Sequence, residues 1–382
     1  MSIQAIIADR IFDGEKFHRN SALVWNANEI RGICSVSDLG NDITIHHYPN
    51  CMVTPGFIDL QVNGGGGIMF NQNTDVDSVS KICAAHRRHG TAYLLPTLVS
   101  DTKQKMIEAL YTIDSAISGG CTGVLGIHLE GPWFNPEKRG AHLEKFLCSP
   151  TLSELKHFPW LTDGSTLITL APECVSSECL EWLKGRDIVI SAGHSNAEAA
   201  QLVCAKRHIS GFTHLFNAMS PLVSREPGVV GTALSMDESW CSIIVDGIHV
   251  DKENVLLAHR VKPEGKLFVV TDAMATIGST ASYFRLGDEI IYADGNKLVN
   301  QEGNLVGAHI GMDESLSNLL DWGIEEQEAI KMVSTYPAHA IQQESQIGYL
   351  KSGYKASATI LDKHYKSQSV LVDGELFSSK TT

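Results

Sequence analysis

Four ionisable side chains stand at the ends of apolar runs of the kind that form buried strands. Glu130 ends GVLGIHLE, His194 ends IVISAGH, His214 lies in GFTHLF and Asp272 ends LFVVTD. A bare buried carboxylate is unfavourable by a free energy on the order of several kcal/mol unless it is paired. Two imidazoles and one carboxylate suit a divalent metal that keeps open positions for water and substrate. We therefore predict a metal site formed by Glu130, His194 and His214.

Each of these side chains also has an ordinary alternative use. Any one histidine alone is equally consistent with a core histidine whose hydrogen bonds are satisfied. Asp272 has three candidate roles: a fourth metal ligand, a general base that takes and returns a proton, or the N-cap of a helix that begins at AMATIG. The last two roles do not exclude each other.

A second group of polar residues follows His214 in HLFNAMSPLVSREPG. Asn217, the main-chain amides after it and Arg225 can donate hydrogen bonds, and an arginine fork suits a phosphate group. His249 in DGIHVD can add another donor. The formal net charge of −14 requires any anion site to be local. Without an anion, Arg225 is a surface residue on a loop and His249 simply ends the seventh strand.

The elements that must position these residues repeat along the chain. Eight apolar, β-rich runs occur in order: VTPGFIDL, TAYLLPTL, GVLGIHLE, LITLAPE, IVISAGH, GFTHLF, CSIIVDG and LFVVTD. Helical periodicity lies between most of them, as in MIEALYTIDSAI. Continuous apolar strands are typical of a parallel sheet that is buried on both faces. The sequence therefore predicts an α/β fold with a TIM-type (β/α)8 barrel, whose active site belongs at the carboxyl ends of the strands.

Length and composition set the domain organisation and exclude some partners. A chain of 382 residues exceeds one barrel. Short alternating segments at both ends predict a small β-sandwich domain from residues 1–50 and 346–382, with the barrel over 51–345. The acidic charge argues against nucleic acid and anionic membranes as partners. The sequence shows no signal peptide and no membrane span, so we expect a cytoplasmic protein whose nine cysteines are reduced.

Several motifs together resemble one known family. PGFIDLQVNG, HLEGPW, SAGHSNA, THLFNAM, REPG, DGIHVD and VTDAM, in this order and at these spacings, are similar to those of the N-acetylglucosamine-6-phosphate deacetylases of the amidohydrolase superfamily. The similarity covers nearly the whole chain, including TYPAHAIQ near its end. No one motif is specific alone, but the set is.

The resemblance implies a role for each candidate residue. Glu130, His194 and His214 are the implied metal ligands, and Asp272 is the implied acid/base. His142 is expected to hydrogen-bond the acetyl carbonyl and stabilise the developing oxyanion. The implied phosphate-binding set is Asn217, the Ala218 amide, Arg225 and His249. In the family the last two can come from the partner across a homodimer interface.

This chain differs from the superfamily pattern at two places. Most amidohydrolases end the first barrel strand in His-x-His, but this chain has Gln61-Val62-Asn63, and amides are poor transition-metal ligands. We therefore predict one divalent metal per subunit, with zinc as the first choice and iron, manganese or cobalt as alternatives, and place Gln61 among the substrate-binding residues. Ala308, His309 and Ile310 are expected to line the sugar, where His309 replaces a small or aliphatic residue.

The expected reaction is hydrolysis of N-acetylglucosamine 6-phosphate to glucosamine 6-phosphate and acetate. Two alternatives stay open at this point. One is deacetylation of another amino-sugar phosphate such as N-acetylgalactosamine 6-phosphate, which His309 keeps in consideration. The other is a catalytically silent barrel that acts as a binding module, although such a protein has no need for Glu130, His194, His214 and Asp272 together.

Overall fold

The computed structural model describes residues 3–287 and 289–379. Eight successive parallel strands form the central sheet: Phe57–Val62, Thr91–Val99, Gly126–Glu130, Ser165–Leu170, Val189–Ala192, Gly211–Phe212, Trp240–Ile243 and Leu267–Val269. Every residue in these strands is buried, as expected for a sheet with its centre filled and its outside covered by helices. These strands lie within or overlap the eight predicted runs, so the barrel prediction is confirmed.

The barrel closes between its first and last strands. Val62 forms a parallel bridge with Ala273. Below that point, the buried Asp59 carboxylate accepts hydrogen bonds from the Thr271 hydroxyl at 2.5 Å and the Thr271 main-chain N–H at 3.2 Å. The first and eighth strand ends, which carry Gln61 and Asp272, are therefore held side by side.

Helices cover the outside of the barrel. Their bounds are Val76–Arg87, Lys103–Ser118, Leu152–Leu155, Ser177–Lys184, Ala199–Ala205, Gly228–Ser235, Lys252–Val261, Met312–Asp321, Glu326–Val333 and Thr335–Ala340. In the second of them, Met106, Leu110 and Ile113 are buried as their spacing predicts, and the Thr102 hydroxyl accepts the N-terminal cap bond. Among the described residues, no helix is long and apolar enough to cross a membrane.

Both ends of the chain contribute to one mixed sheet. Its strands are Ile3–Phe12, Phe17–Arg19, Ser21–Asn26, Glu29–Ser35, Thr44–Pro55, Ala358–Leu361, Ser367–Val372 and Glu375–Ser378. The strand Thr44–Pro55 joins the two halves, because it pairs in parallel with Ile3–Phe12 and antiparallel with Ala358–Leu361. This strand runs across the predicted boundary at residue 50, and the division of the chain into two domains stays a prediction.

Two further sheets lie at the carboxyl ends of the barrel strands and were not predicted. Gly64–Gly65 pairs with Ile68–Met69, and a four-stranded antiparallel sheet follows the eighth barrel strand. The four strands are Tyr283–Leu286, Glu289–Asp294, Lys297–Val299 and Leu305–Ala308. Leu286 and Leu305 from this sheet form part of the wall of the cavity described next.

Candidate metal centre

Three potential ligand atoms meet at the carboxyl ends of the third, fifth and sixth barrel strands. His214 Nε2 lies 3.1 Å from Glu130 Oε1 and 3.1 Å from His194 Nε2, while His194 Nε2 lies 3.4 Å from Glu130 Oε1. All three side chains are buried. A tetrahedral zinc ion with bonds of about 2.0–2.1 Å places its ligand atoms about 3.4 Å apart. The triangle therefore fits a divalent metal.

The backbone bends sharply to bring these side chains to the mouth of the barrel. His194 and His214 each follow the end of a strand by two residues, and their φ angles are 49° and 36°. Asp272 has a φ of 52°. Left-handed conformations are unfavourable for residues with a side chain and cluster at functional sites. Three such residues around one cavity indicate that the chain is shaped for the site.

The rings are oriented by neighbours on other elements. His194 Nδ1 lies 2.8 Å from the Lys138 carbonyl oxygen, so Nδ1 donates its proton there and Nε2 offers a lone pair to the centre. Phe134 stacks on the His194 ring with centroids 4.2 Å apart. His194 is therefore held in the tautomer that a metal ligand needs.

The charge at the centre is concentrated on Glu130. Although burial opposes ionisation, the adjacent His194 and His214 imidazoles hold the pKa of Glu130 well below its usual range. Gln61 Nε2 donates a further hydrogen bond to Glu130 Oε1 at 2.8 Å. Glu130 is thus an anion facing two imidazoles, which is the donor chemistry that a divalent cation requires.

Asp272 lies beside this triangle and is held by two side-chain amides at the end of the first strand. Its Oδ1 accepts hydrogen bonds from Asn63 Nδ2 at 2.6 Å and Gln61 Nε2 at 3.1 Å. Burial, reinforced by the charge of Glu130, raises the pKa of Asp272 to about 7. Turns and then the strand Tyr283–Leu286 follow Asp272, so the helix that an N-cap role needs does not form.

His142 presents one ring nitrogen to the same cavity. Its Nε2 lies 3.9 Å from Glu130 Oε2, while its Nδ1 faces the other way, toward Ser100. Burial lowers the pKa of His142 to about 3, with the nearby His194 as the next cause. His142 is therefore a neutral imidazole.

The cavity has a volume of about 220 Å³ and includes most of the predicted site residues. Its walls are formed by Val99, Glu130, Gly140, Ala141, His142, His194, His214, Asn217, Ala218, His249, Asp272, Met274, Leu286, Leu305 and Gly307. Gln61 is buried at 1% exposure and reaches the site through its bonds to Glu130 and Asp272. One opening thus contains the three candidate metal ligands, the acid/base candidate and part of the predicted anion site.

His249 also lines the cavity and is braced by a carboxylate. Asp246 Oδ2 lies 2.6 Å from His249 Nδ1, and Asp246 Oδ1 accepts the main-chain N–H groups of Ile248 and His249. Burial alone would lower the pKa of His249, but the hydrogen bond to Asp246 raises it above its usual value. His249 is therefore suited to carry a positive charge against an anion.

Besides Gln61, four predicted substrate contacts do not line this cavity. Arg225 is exposed on the segment 221–226, whose residues Leu222 and Val223 are also exposed at 56% and 53%. Ala308 and Ile310 are buried, and the Ala308 N–H donates to the Asp272 carbonyl. His309 Nδ1 lies 2.7 Å from the Thr276 hydroxyl. Contact of these four residues with substrate stays a prediction.

Not every buried histidine at the strand ends belongs to the site. His128 lies within hydrogen-bond distance of the hydroxyls of Thr169 at 2.7 Å and Thr97 at 3.4 Å, so it is a satisfied core histidine. Conversely, the sequence did not single out Ser100 or the Lys138 carbonyl, which orient His142 and His194. No sequence signal could have found the carbonyl, because every residue has one.

A Glu-His-His ligand set at the strand ends of a parallel barrel is typical of metal-dependent hydrolases. Residues 52–379 match the amidohydrolase family, and the chain belongs to that family. The predicted family resemblance is confirmed by close relatives. The N-acetylgalactosamine-6-phosphate deacetylase of Shewanella sp. strain ANA-3 is 38% identical, covering 84% of this chain and 82% of the relative.

Two further relatives cover more of the chain. The N-acetylglucosamine-6-phosphate deacetylase of Haemophilus influenzae is 31% identical, covering 94% of each chain. The crystal structure of N-acetylglucosamine-6-phosphate deacetylase from Pasteurella multocida matches with a TM-score of 0.94 at 32% identity, covering 98% of this chain and 100% of that one. Amino-sugar phosphate deacetylases of both hexose epimers are thus among its relatives.

Proposed function

We propose that this protein hydrolyses N-acetylglucosamine 6-phosphate to glucosamine 6-phosphate and acetate. The observation that carries the proposal is the placement of three ligand atoms, Asp272 and His142 around one cavity of about 220 Å³. The family membership and the deacetylases among its relatives support the same reaction.

Glu130, His194 and His214 would hold one divalent metal, for which zinc is the first choice and iron, manganese or cobalt also fit. When bound, such a metal acts as a Lewis acid that lowers the pKa of water and polarises a carbonyl. Gln61 and Asn63 instead donate their amide protons to Glu130 and Asp272. Because neutral amides are poor transition-metal ligands compared with imidazole, we propose one metal per chain.

Proton transfer belongs to Asp272. Both amide hydrogen bonds reach its Oδ1, which leaves Oδ2 to carry the proton. A carboxyl whose pKa is about 7 can take a proton from the attacking water and return it to the departing nitrogen near neutral pH. His142, through Nε2–H, would donate to the acetyl oxygen as negative charge develops there.

The phosphate would bind on the other side of the cavity, against Asn217, the Ala218 amide and His249. Arg225 is exposed and does not line the cavity of its own chain. The neighbouring exposed Leu222 and Val223 favour an interface at this segment. We therefore propose a homodimer in which Arg225 reaches the site of the partner subunit.

Hybrid dimers test this arrangement. The R225A variant keeps Asp272 and lacks the arginine, while D272N keeps the arginine and lacks the base. If Arg225 serves the partner, mixing the two after dissociation should restore the wild-type KM in the sites that retain Asp272. If it serves its own chain, mixing leaves the KM of R225A unchanged.

A second substrate is favoured by one observation. The Shewanella relative, at 38% identity, is an N-acetylgalactosamine-6-phosphate deacetylase. The two sugars differ only in the configuration at C4, so the same metal centre and acid/base would serve both. The second candidate function is therefore deacetylation of the galacto epimer.

Acetate release from four sugars separates these functions. The metal-loaded protein would be assayed with N-acetylglucosamine 6-phosphate, its galacto epimer and the two unphosphorylated sugars. Fast turnover of the gluco phosphate alone supports the proposal, and preference for the galacto phosphate supports the second candidate. No turnover of any sugar would indicate a barrel that acts only as a binding module.

We propose a cytoplasmic location, where sugar phosphates occur.

A further inference from the structure

Ser100 lies immediately after the second barrel strand and contacts His142 in two ways. Its main-chain N–H donates to His142 Nδ1 at 3.2 Å, and its hydroxyl oxygen lies 2.7 Å from the same nitrogen. Both residues are buried at 5% exposure. Two groups of one residue thus converge on one ring nitrogen.

The main-chain contact determines the proton position on the ring. An N–H group can only donate, so the nitrogen that it faces must offer a lone pair. His142 Nδ1 is therefore unprotonated, the ring is neutral, and its proton lies on Nε2. The Ser100 hydroxyl can rotate to donate to Nδ1 as well. The Nε2–H that results points into the cavity, toward Glu130 Oε2 at 3.9 Å.

The segment at Gly131 leaves room for this contact. A side chain at Gly131 would bring its Cβ to 2.2 Å from the Ser100 hydroxyl oxygen, and the φ of Gly131 is +85°, a conformation that favours glycine. The Ser100 hydroxyl also lies 3.4 Å from the Glu130 carbonyl oxygen. Ser100 therefore fits between His142 and the strand that ends in a metal ligand.

We propose that Ser100 is a positioning residue for catalysis: its main-chain N–H fixes His142 in the Nε2–H tautomer, and its hydroxyl, bonded to the same Nδ1, holds the ring so that the Nε2 proton faces the acetyl oxygen of the substrate. The expected effect of Ser100 on kcat rests on the proposed deacetylase function. The neutral Nε2–H donor strengthens its hydrogen bond as the carbonyl oxygen gains negative charge, so the effect belongs mainly to the transition state.

A double-mutant cycle tests whether Ser100 acts through His142. Wild type, S100A, H142A and the double variant would be compared for kcat and KM. S100A is expected to lower kcat about tenfold, which is the lower end of the loss found when a partner that orients a metal-bound histidine is removed, and to change KM by less than about threefold. In the H142A background the same change should alter kcat by less than about twofold.

A matched control separates this effect from loss of a buried hydroxyl. Ser315 is fully buried, and its hydroxyl donates to the Gly311 carbonyl within its own helix. S315A should keep the wild-type kcat. Full turnover by S100A, or an equal loss in the wild-type and H142A backgrounds, would overturn the proposal.

The tautomer itself can be observed without substrate. Nitrogen NMR of zinc-loaded protein labelled with [15N]histidine should show Nδ1 of His142 unprotonated and Nε2 protonated. The His142 resonances are assigned as those that disappear in H142A. S100A should perturb this Nδ1 resonance, and a protonated Nδ1 in the wild type would contradict the proposal. If the wild type hydrolyses none of the sugars, the proposed function fails, and the nitrogen spectrum alone then decides the role of Ser100.

Discussion

The two sides of the cavity are built differently. On the metal side, Glu130, His194 and His214 are buried, and His194 and Glu130 are held by further bonds from the same chain, such as those of Lys138 and Gln61. On the anion side, which is the side proposed to bind the phosphate, His249 is braced by Asp246, and the proposed contact Arg225 is exposed and does not line the cavity of its own chain.

This difference indicates how the protein divides its tasks. Chemistry requires groups that do not reorganise when charge develops, and burial with fixed hydrogen bonds provides that. Phosphate binding tolerates a looser site, because the anion is held equally in the ground and transition states. Variants on the metal side should therefore change kcat, while variants on the anion side should change KM.

The largest effect is expected from Glu130→Gln. A neutral amide is a poor metal ligand, so the variant should lose the metal. Lewis acidity contributes several kcal/mol of transition-state stabilisation, so its loss should lower turnover more than about a thousandfold. Metal analysis and acetate release measure both consequences. Glu328→Gln is the control, because Glu328 bonds Tyr336 away from the cavity. E130Q protein with full metal content and activity would contradict the ligand assignment.

Asp272→Asn should lower turnover without lowering the metal content. The amide cannot carry the proton, and loss of a general acid/base lowers the rate about a hundredfold or more. Metal content should be unchanged, since Asp272 lies beside the ligand triangle rather than in it. Near wild-type turnover of D272N would show that another group moves the proton.

Arg225→Ala should act on the anion side alone. Loss of one charge-assisted hydrogen bond to phosphate is expected to raise KM about tenfold and to leave kcat unchanged. The unphosphorylated sugar provides the control, because its KM should not respond. A fall in kcat without a change in KM would remove Arg225 from the phosphate site.

A smaller, pH-dependent effect is expected from Asp246→Asn. Because the pKa of His249 is raised, His249 carries its charge below that pKa and loses it as the pH rises through it, so the wild-type KM should increase toward alkaline pH. Without the carboxylate, burial lowers the pKa of His249, and the increase should begin at lower pH. The expected change in KM at neutral pH is about threefold.

Asp13→Asn is a matched control for this prediction. Asp13 Oδ2 contacts His18 Nε2 at 2.6 Å in the terminal sheet, which is the same separation as in the Asp246–His249 pair. D13N should leave the pH dependence of KM unchanged. Identical KM profiles for D246N and wild type would remove His249 as a charged anchor.

The sequence predicted the barrel and the grouping of four ionisable strand-end residues because both depend on local patterns. Continuous apolar runs indicate parallel strands wherever they occur, and the ends of those strands must share one face. Glu130, His194, His214 and Asp272 were placed together by that reasoning alone.

Other features depend on contacts that are distant in sequence. Ser100 and His142 are 42 residues apart, and nothing near either one indicates that they meet. The sheet from Tyr283 to Ala308 was missed because its strands are short and partly exposed, which weakens their periodicity. His309 was expected beside the sugar from its place in a motif; its Nδ1 lies 2.7 Å from the Thr276 hydroxyl, and its contact with the sugar stays a prediction.

Titration with zinc counts the metal ions that each chain needs for activity. Protein stripped of metal would receive zinc in steps while acetate release from N-acetylglucosamine 6-phosphate is followed. If Glu130, His194 and His214 hold the metal, and because the amides Gln61 and Asn63 are poor transition-metal ligands, activity should rise linearly and reach its plateau at one zinc ion per chain. Full activity in metal-free protein, or a plateau at two ions per chain, would contradict the account.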